Sequence, residues 1–561
     1  MDKIWLKSYP AGVPAEINPD IYQSLTQLLE ESFKKNAASP FSVCMDRWMT
    51  YKEVDDLSAA LGAWLQSLGL QPGACVAIML PNLPQFSVTM VAILRGGYTC
   101  VNVNPLYTPR ELEHQLKDSG ATTIVILENF ATTLTEVINN TPIKRVVLAT
   151  MGDLLGAMYG KWITFAVRNL KKIVPPYSFS TANGLQVTPF NQAIAAGKRM
   201  TLKPAKSTLD SIAFLQYTGG TTGLSKGAVL THRNIVAAVM QGEAWFTPAM
   251  GRVGDVSKIN SIAALPLYHI FALNLSLLSI RWGAYVTLVP NPRDFTGFVN
   301  ILKKRPFHML PAVNTLFNAL LQHPEFKTVD FSNLCVSQAG GMAASEGTAK
   351  NWLAVTGCPM IEGWGMSETV AMGTNNPVNN KEFTGTIGLP LPSILIAIKD
   401  EAGNDVQQGE SGEICIKGPN VMTGYYNQPD ENKNAFTSDG YLKTGDVGIM
   451  DERGYTKIVD RLKDMIIVSG FNVFPNELEN TVSLCPGVLE CAVIGVPDEK
   501  AGEAIKLFII KKDANLSEED VKAYCRQNLT GYKMPKYIVF RDDLPKTNVG
   551  KILRRELRAG K

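Results

Sequence analysis

Nine cysteines are scattered through 561 residues, and no two of them form a CxxC pair. Such spacing offers neither a disulfide framework nor a zinc ligand set, and it predicts a reducing compartment. The opening stretch, MDKIWLKSYPAGVP, has no uninterrupted apolar run of the kind a signal peptide needs. Long hydrophobic runs are almost absent too. Residues 261–280 (SIAALPLYHIFALNLSLLSI) reach the length of a bilayer span, but Pro266, His269 and Asn274 interrupt them and Arg281 follows at once. We read them as a buried strand, turn and helix. The chain is therefore expected in the cytoplasm, soluble or peripheral on the inner face of the cell membrane.

What is present is ordinary in bulk, with 45% hydrophobic and 19% charged residues. The length implies about two to four structural units. A net charge of +3 hides an asymmetry, because residues 526–561 carry ten Lys or Arg against three Asp or Glu. A basic end suits nucleic acid, a membrane or a small polyanion. Neither a nucleic-acid motif nor interleaved basic and aromatic residues accompany it, so no nucleic-acid partner is expected. A polyphosphate ligand stays open.

Along the chain, helical and strand patterns alternate. Residues 50–68 show amphipathic helical spacing with Leu57, Leu61 and Leu65 on one face, and residues 75–80 (CVAIML) read as a buried strand. A helix at 86–95 and a strand at 99–103 follow; the middle repeats this grammar with strands at 211–216 and 285–289 and a helix after His232. Such alternation implies an α/β fold with largely parallel sheets covered on both faces. From about 384 to 460 short strands with turns predict a small β-rich subdomain. A new α/β unit begins after Asp460, with strands near 491–494 and 507–510 and a helix at 517–528. The boundary is placed at residues 460–463, which divides the chain into 1–460 and 461–561.

Residues 217–227 (YTGGTTGLSKG) are the most informative. Four glycines let backbone approach a ligand, hydroxyls at Thr218, Thr221, Thr222 and Ser225 supply donors, and Lys226 adds a point charge. The loop, set between a strand and a helix start, suits a polyphosphate. It is not a Walker A loop, since Gly227 follows Lys226 and the glycine spacing is wrong; nor is it a kinase loop, since no HRD or DFG follows.

This loop resembles the signature of the adenylate-forming superfamily of acyl-CoA synthetases, peptide-synthetase adenylation domains and luciferases. Four further motifs stand in the superfamily's order: GWGMSE at 363–368, GYLKTGD at 440–446, DRLKD at 460–464 and PKTNVGKILR at 545–554. The resemblance runs from about Gln23 to the end. It implies a large N-terminal domain holding nucleotide and acyl sites, followed by a small mobile α+β C-terminal domain. It also implies ATP and coenzyme A as cosubstrates and Mg²⁺ as the metal. The first half-reaction needs no base or nucleophile, because a carboxylic acid is already ionised at neutral pH. Its difficulty is an anion attacking a polyanion, which calls for cations, amide donors and a metal.

Residue by residue, the resemblance implies that Thr218, Gly219, Gly220, Thr221, Thr222, Gly223 and Lys226 cradle phosphates. Glu368 and Thr221 would hold Mg²⁺, a hard cation suited to oxygen ligands. Trp364 stands where relatives stack an aromatic ring on adenine, although a core tryptophan fits the pattern too. Gly341, Gly365 and Ser367 belong to the same nucleotide pocket. Asp446 would accept both ribose hydroxyls with support from Arg461. Lys551 matches the catalytic lysine, Lys463 the hinge, and Ser469 with Gly470 the border of the pantetheine tunnel.

Residues 101–121 and 265–273 resemble bacterial long-chain fatty-acid–CoA ligases, which implies a fatty acid as the acyl substrate. There His269 would sit beside the acyl site, with Phe271, Gly340, Gly341 and Met342 as channel walls; a satisfied core histidine is the other reading. Leu273 replaces a tryptophan that gates the channel in some long-chain relatives. An aryl- or medium-chain acyl-CoA ligase shares every catalytic motif, and so does an enzyme that loads a carrier protein from acyl-AMP. A homodimer is a family-level expectation. Residues 161–177 mix Trp162, Phe165, Leu170 and Ile173 with Lys161, Arg168, Lys171 and Lys172, which fits either an interfacial helix touching anionic lipid or a packed helix with a basic outer face.

Overall fold

The computed structural model describes residues 3–180, 184–218, 225–469, 471–498, 501–547 and 552–560. Among them four sheets form. The first joins Gln186–Pro189, Arg145–Ala149, Thr123–Leu127, Cys75–Met79, Thr99–Asn102, Ile212–Tyr217 and Gly227–Thr231, in that order. It is parallel except for the last pair. The second has nine strands, whose parallel centre runs Met360–Trp364, Val336–Ala339, Met309–Ala312, Asn260–Ala263, Tyr285–Leu288 and Pro40–Cys44.

Helices cover these sheets because the sequence gives them an apolar stripe and a defined start. Tyr51–Ser67 begins at a reciprocal cap in which Thr50 Oγ1 accepts from Glu53 N at 3.1 Å and Glu53 Oε2 accepts from Thr50 N at 2.8 Å. Leu61 and Leu65 are fully buried beneath it, while Leu57 is only half-buried. Together with Pro84–Arg95, His232–Phe246 and Ile270–Trp282, this helix joins both sheets into one apolar core. The stretch 261–280 thus resolves into strand Asn260–Ala263 and helix Ile270–Trp282, and no helix among the described residues is long and apolar enough to cross a membrane.

The third sheet is antiparallel: Leu395–Lys399, Gly412–Lys417, Leu442–Met450 and Thr456–Arg461. The fourth begins at Ile466–Val468 and carries Val488–Asp498, Gly502–Lys511 and Tyr537–Arg541, with helices Pro475–Ser483 and Glu518–Asn528. Ser517 caps the latter by accepting from Asp520 N at 3.2 Å.

Two sequence expectations need correction. The glycine-rich loop does not lead from a strand into a helix. It joins Ile212–Tyr217 to a further strand, Gly227–Thr231, which folds back antiparallel before helix His232–Phe246 starts. Likewise no single helix fills 161–177. Helix Ala157–Phe165 passes into a π-helical turn, Ala166–Leu170, and the prolines at 175 and 176 follow outside any helix.

Candidate active site

The hairpin fixes the feet of the glycine-rich loop. Tyr217 pairs with Gly227, and Thr218 N donates to Lys226 O at 3.0 Å. A side chain at Gly227 would press on the Tyr217 ring at 3.0–3.1 Å, so glycine is required where the strands separate. Tyr217 is itself held by donating to Asp118 Oδ2 at 2.5 Å, and His114 Nε2 lies 2.8 Å from Ser225 O. Gly219, Gly220, Thr221, Thr222 and Gly223 lie outside the described residues. Lys226 is placed: its Nζ is 2.6 Å from Glu431 Oε2 and 5.5 Å from the centre of the Tyr425 ring.

That tyrosine links the loop to Glu368. Tyr425 OH donates to Glu368 Oε1 at 2.7 Å, and Met422 N donates to the Glu368 carbonyl at 2.7 Å. Glu368 lies on the tight turn Ser367–Thr369, just beyond strand Met360–Trp364. The chain reverses there through two successive left-handed residues, Val370 (φ 54°) and Ala371 (φ 57°). Non-glycine residues hold that conformation only where the surroundings impose it. Gly365 makes the reversal possible, since a Cβ there would lie 2.3 Å from the Ala371 carbonyl carbon. Glu368 is buried, and desolvation raises its pKa; the Tyr425 hydroxyl and the Arg461 charge act the other way.

Next to it stands a second knot. Trp364 Nε1 donates to Asp446 Oδ2 at 2.9 Å, and Arg461 Nε lies 2.9 Å from Asp446 Oδ1. Asp446 and Arg461 face each other across the pair Leu442–Met450 and Thr456–Arg461, so sheet register sets the bond. Trp364 and Asp446 are buried, whereas Arg461 keeps about a third of its side chain in solvent (32%). Lys226, Glu368, Trp364, Asp446 and Arg461 therefore come together from four separate stretches of sequence.

His269 immediately precedes helix Ile270–Trp282, its ring 5.1 Å from that of Tyr268, and burial lowers its pKa to about 4. A Cβ on Gly340 would touch the Phe271 ring at 3.1 Å, and Gly341 has φ 77°, a conformation that favours glycine. Lys463 follows Arg461 on an exposed turn, with its pKa lowered by desolvation and by the Arg461 charge. Ser469 is exposed and left-handed (φ 51°). Gly470 and Lys551 lie outside the described residues.

The profile of the AMP-binding enzyme family matches residues 29–426, and that of the AMP-binding enzyme C-terminal domain matches residues 477–551. The chain belongs to the AMP-binding enzyme family. A protein of Yersinia pestis named long-chain-fatty-acid–CoA ligase is 49% identical over 561 residues, 100% of this chain and 98% of that one. A Haemophilus influenzae protein of the same name is 46% identical over 562 residues, with the same coverage. Among solved structures, ATP-bound MatB of Rhodopseudomonas palustris superposes with a TM-score of 0.80 at 27% identity, covering 95% of this chain and 98% of that one.

Within this AMP-binding enzyme, several residues of the site escape sequence reading. Tyr425, which touches both Lys226 and Glu368, lies in a TGYYN run whose only signal is an aromatic pair between turn residues. Glu362, two residues before Trp364, is buried and accepts from Ala344 N at 2.8 Å, and desolvation raises its carboxyl to about 7. Glu431, the partner of Lys226, carries no motif.

Proposed function

We propose that this protein is an AMP-forming long-chain fatty acid–CoA ligase: fatty acid, ATP and coenzyme A give acyl-CoA, AMP and diphosphate through an acyl-adenylate. The observation that carries the reading is the Trp364–Asp446–Arg461 knot beside Glu368, in a chain whose full-length relatives at 46–49% identity bear that name. Asp446 is acceptor-only, and Trp364 and Arg461 fix its two oxygens while leaving lone pairs on each for ribose hydroxyls. Lys226 exchanges Glu431 for a phosphate, with Thr218 and the loop 219–223 giving amide and hydroxyl donors. Gly341, Gly365 and Ser367 leave room for the adenine beside Trp364.

Glu368 fits the implied Mg²⁺. It is a buried carboxylate with Oε1 held by Tyr425, oxygen chemistry that a hard cation prefers. Together with Thr221 it would hold the ion, which supplies charge neutralisation on the phosphates. Lys551 approaches the carboxylate and α-phosphate, and residues 461–561 then turn about Lys463 to bring Ser469 and Gly470 to the pantetheine path. Lowered to about 4, the His269 imidazole stays neutral at physiological pH and borders the acyl channel without adding charge. Peripheral contact with an anionic membrane belongs to the same reading, since the substrate and product are amphiphiles.

The test is diphosphate release with ATP, Mg²⁺, coenzyme A and a graded set of fatty and aryl acids, with Lys551→Ala as control. Release should rise toward long-chain acids and collapse in the variant. A maximum with aryl or short acids would overturn the substrate; no release with any acid would overturn the activity.

A further inference from the structure

Six of the eighteen large hydrophobic side chains exposed among the described residues lie within sixteen positions: Met158, Tyr159, Trp162, Phe165, Leu170 and Ile173. Met158 is 88% exposed, and Trp162, at 55%, stacks on Phe165 with ring centres 6.0 Å apart. Met158, Trp162 and Phe165 follow the spacing of four and three that puts side chains on one helix face. The opposite face is spent on the body of the protein. Gly160 meets Gly152 so closely that a Cβ on either would collide with the other's carbonyl, Thr164 Oγ1 lies 3.1 Å from Thr150 Oγ1, and Val167 is buried. Aromatic exposure is thus a property of a firmly seated helix.

Charge singles out the same segment. From residue 154 to residue 209 the chain carries eight Lys or Arg and no Asp or Glu. One of those cations is committed inward: Arg168 gives Nε and Nη2 to the buried Glu128 carboxylate at 2.9 and 2.6 Å, which pins the π-helical turn to the body. Asn129 Nδ2 holds the exit of the segment by donating to Ile173 O at 2.9 Å. Lys161, Lys171 and Lys172 remain exposed around the apolar side chains.

We propose that residues 157–173 are the element by which this protein docks on an anionic phospholipid surface. Trp162 and Phe165 enter the headgroup–acyl boundary, Leu170 and Ile173 extend that contact, and the three lysines face lipid phosphate. A second copy does not fit this face, since a two-fold contact would set the same lysines against one another with no carboxylate between them. A lipid surface supplies both what the aromatics lack, an apolar phase, and what the lysines lack, a dense field of negative charge. The inference rests on the membrane contact in the proposed function and names its site; it does not depend on the catalytic residues.

Full-length protein would be floated with vesicles of phosphatidylcholine, with and without phosphatidylglycerol, at low and high salt. Wild type should bind the anionic vesicles at low salt, and brominated acyl chains should quench its tryptophan fluorescence. Trp162→Ser with Phe165→Ser should weaken binding about tenfold or more and abolish that quenching. Lys161→Glu with Lys171→Glu and Lys172→Glu should remove the salt dependence. All five side chains are exposed, so diphosphate release with a short, soluble acid should be unchanged in both variants. Wild type failing to bind would overturn the membrane reading itself. Wild type binding while both variants bind as well would keep that reading and overturn the assignment to this segment. A change of oligomeric state in the aromatic variant, without change in vesicle binding, would assign the face to a second copy and overturn the proposal.

Discussion

Two arginines on either side of the turn 461–464 hold carboxylates in opposite ways. Arg461 meets Asp446 through one bond and stays one-third exposed. Arg554 is mostly buried and bonded through all three of its nitrogens. It gives Nε and Nη2 to Glu479 at 3.2 and 2.7 Å, Nη2 to Asn476 Oδ1 at 2.6 Å and Nη1 to Asp464 at 3.3 Å. Arg558 closes on Asp464 from the other side at 3.0 Å. Opening the first pair frees an arginine that already reaches solvent and leaves buried Asp446 with its Trp364 donor; opening the second strips Arg554 and Glu479 of each other together. Only Leu462 and Lys463 separate Arg461 from Asp464, so the change from a re-partnerable contact to a fixed one falls at Lys463, where the hinge is expected. Arg554 also stands three residues after Lys551, within about 10 Å of chain. The fixed knot thus joins the far side of the hinge to the segment that carries the proposed catalytic lysine.

The largest effect should come from breaking the fixed knot. Arg554→Ala leaves Glu479, Asp464 and Asn476 without their common donor and should cost about 3–5 kcal/mol. Amide exchange across Val488–Asp498 and Gly502–Lys511 measures this, and a loss below about 1 kcal/mol would erase the contrast between the two arginines.

Next comes Glu362, on the nucleotide side. Its carboxyl is raised from 4.5 to about 7 because burial disfavours the charge. A raised carboxyl binds its proton more tightly when folded, so the penalty is absent below about pH 4.5, grows through the window and is complete above about pH 7. Glu362→Gln keeps an oxygen for Ala344 N. It should stabilise the protein by up to about 3 kcal/mol at pH 8 and leave it unchanged near pH 4.5. Denaturant unfolding at the two pH values decides; equal shifts at both would show that the proton is not what the site stores.

Arg461→Ala should weigh on the chemistry more than on the fold. Stability should fall by about 1–3 kcal/mol, less than for Arg554→Ala because Asp446 keeps its Trp364 donor, while acyl-adenylate formation falls about 10–100-fold through loss of one charge-assisted bond. Single-turnover assays separate this from thioester formation on supplied acyl-adenylate, which should change little. Equal loss in both half-reactions would make Arg461 a structural residue like Arg554.

What the sequence revealed and what it hid follow from how far each signal reaches. Helix Tyr51–Ser67 and strand Cys75–Met79 were readable because period and caps lie within a few residues. Trp364, Asp446 and Arg461 were readable as motif residues, yet their mutual bonds join positions 82 residues apart in one case, which no local pattern encodes. Strand Gly227–Thr231 is hidden because it lies between a glycine-rich loop and helix His232–Phe246, with no turn residue between it and the helix. Arg168 read as one more surface cation, and only the fold shows Glu128, forty residues earlier, buried beneath it.

The smallest effect tests the most easily exchanged contact in the site. Lys226 and Glu431 form a close pair, but Glu431 is about half exposed (49%) and water screens the attraction. Such pairs contribute about 0.2–1 kcal/mol. In the proposed function a phosphate displaces Glu431 from Lys226, so Glu431→Gln should lower KM for ATP, by about fivefold at most, and leave kcat unchanged. A rise in KM would mean that Glu431 orients Lys226 for the phosphate instead of competing with it. The Tyr425 ring would then be insufficient to place the ammonium, and Lys226 would join Arg554 on the fixed side of the comparison.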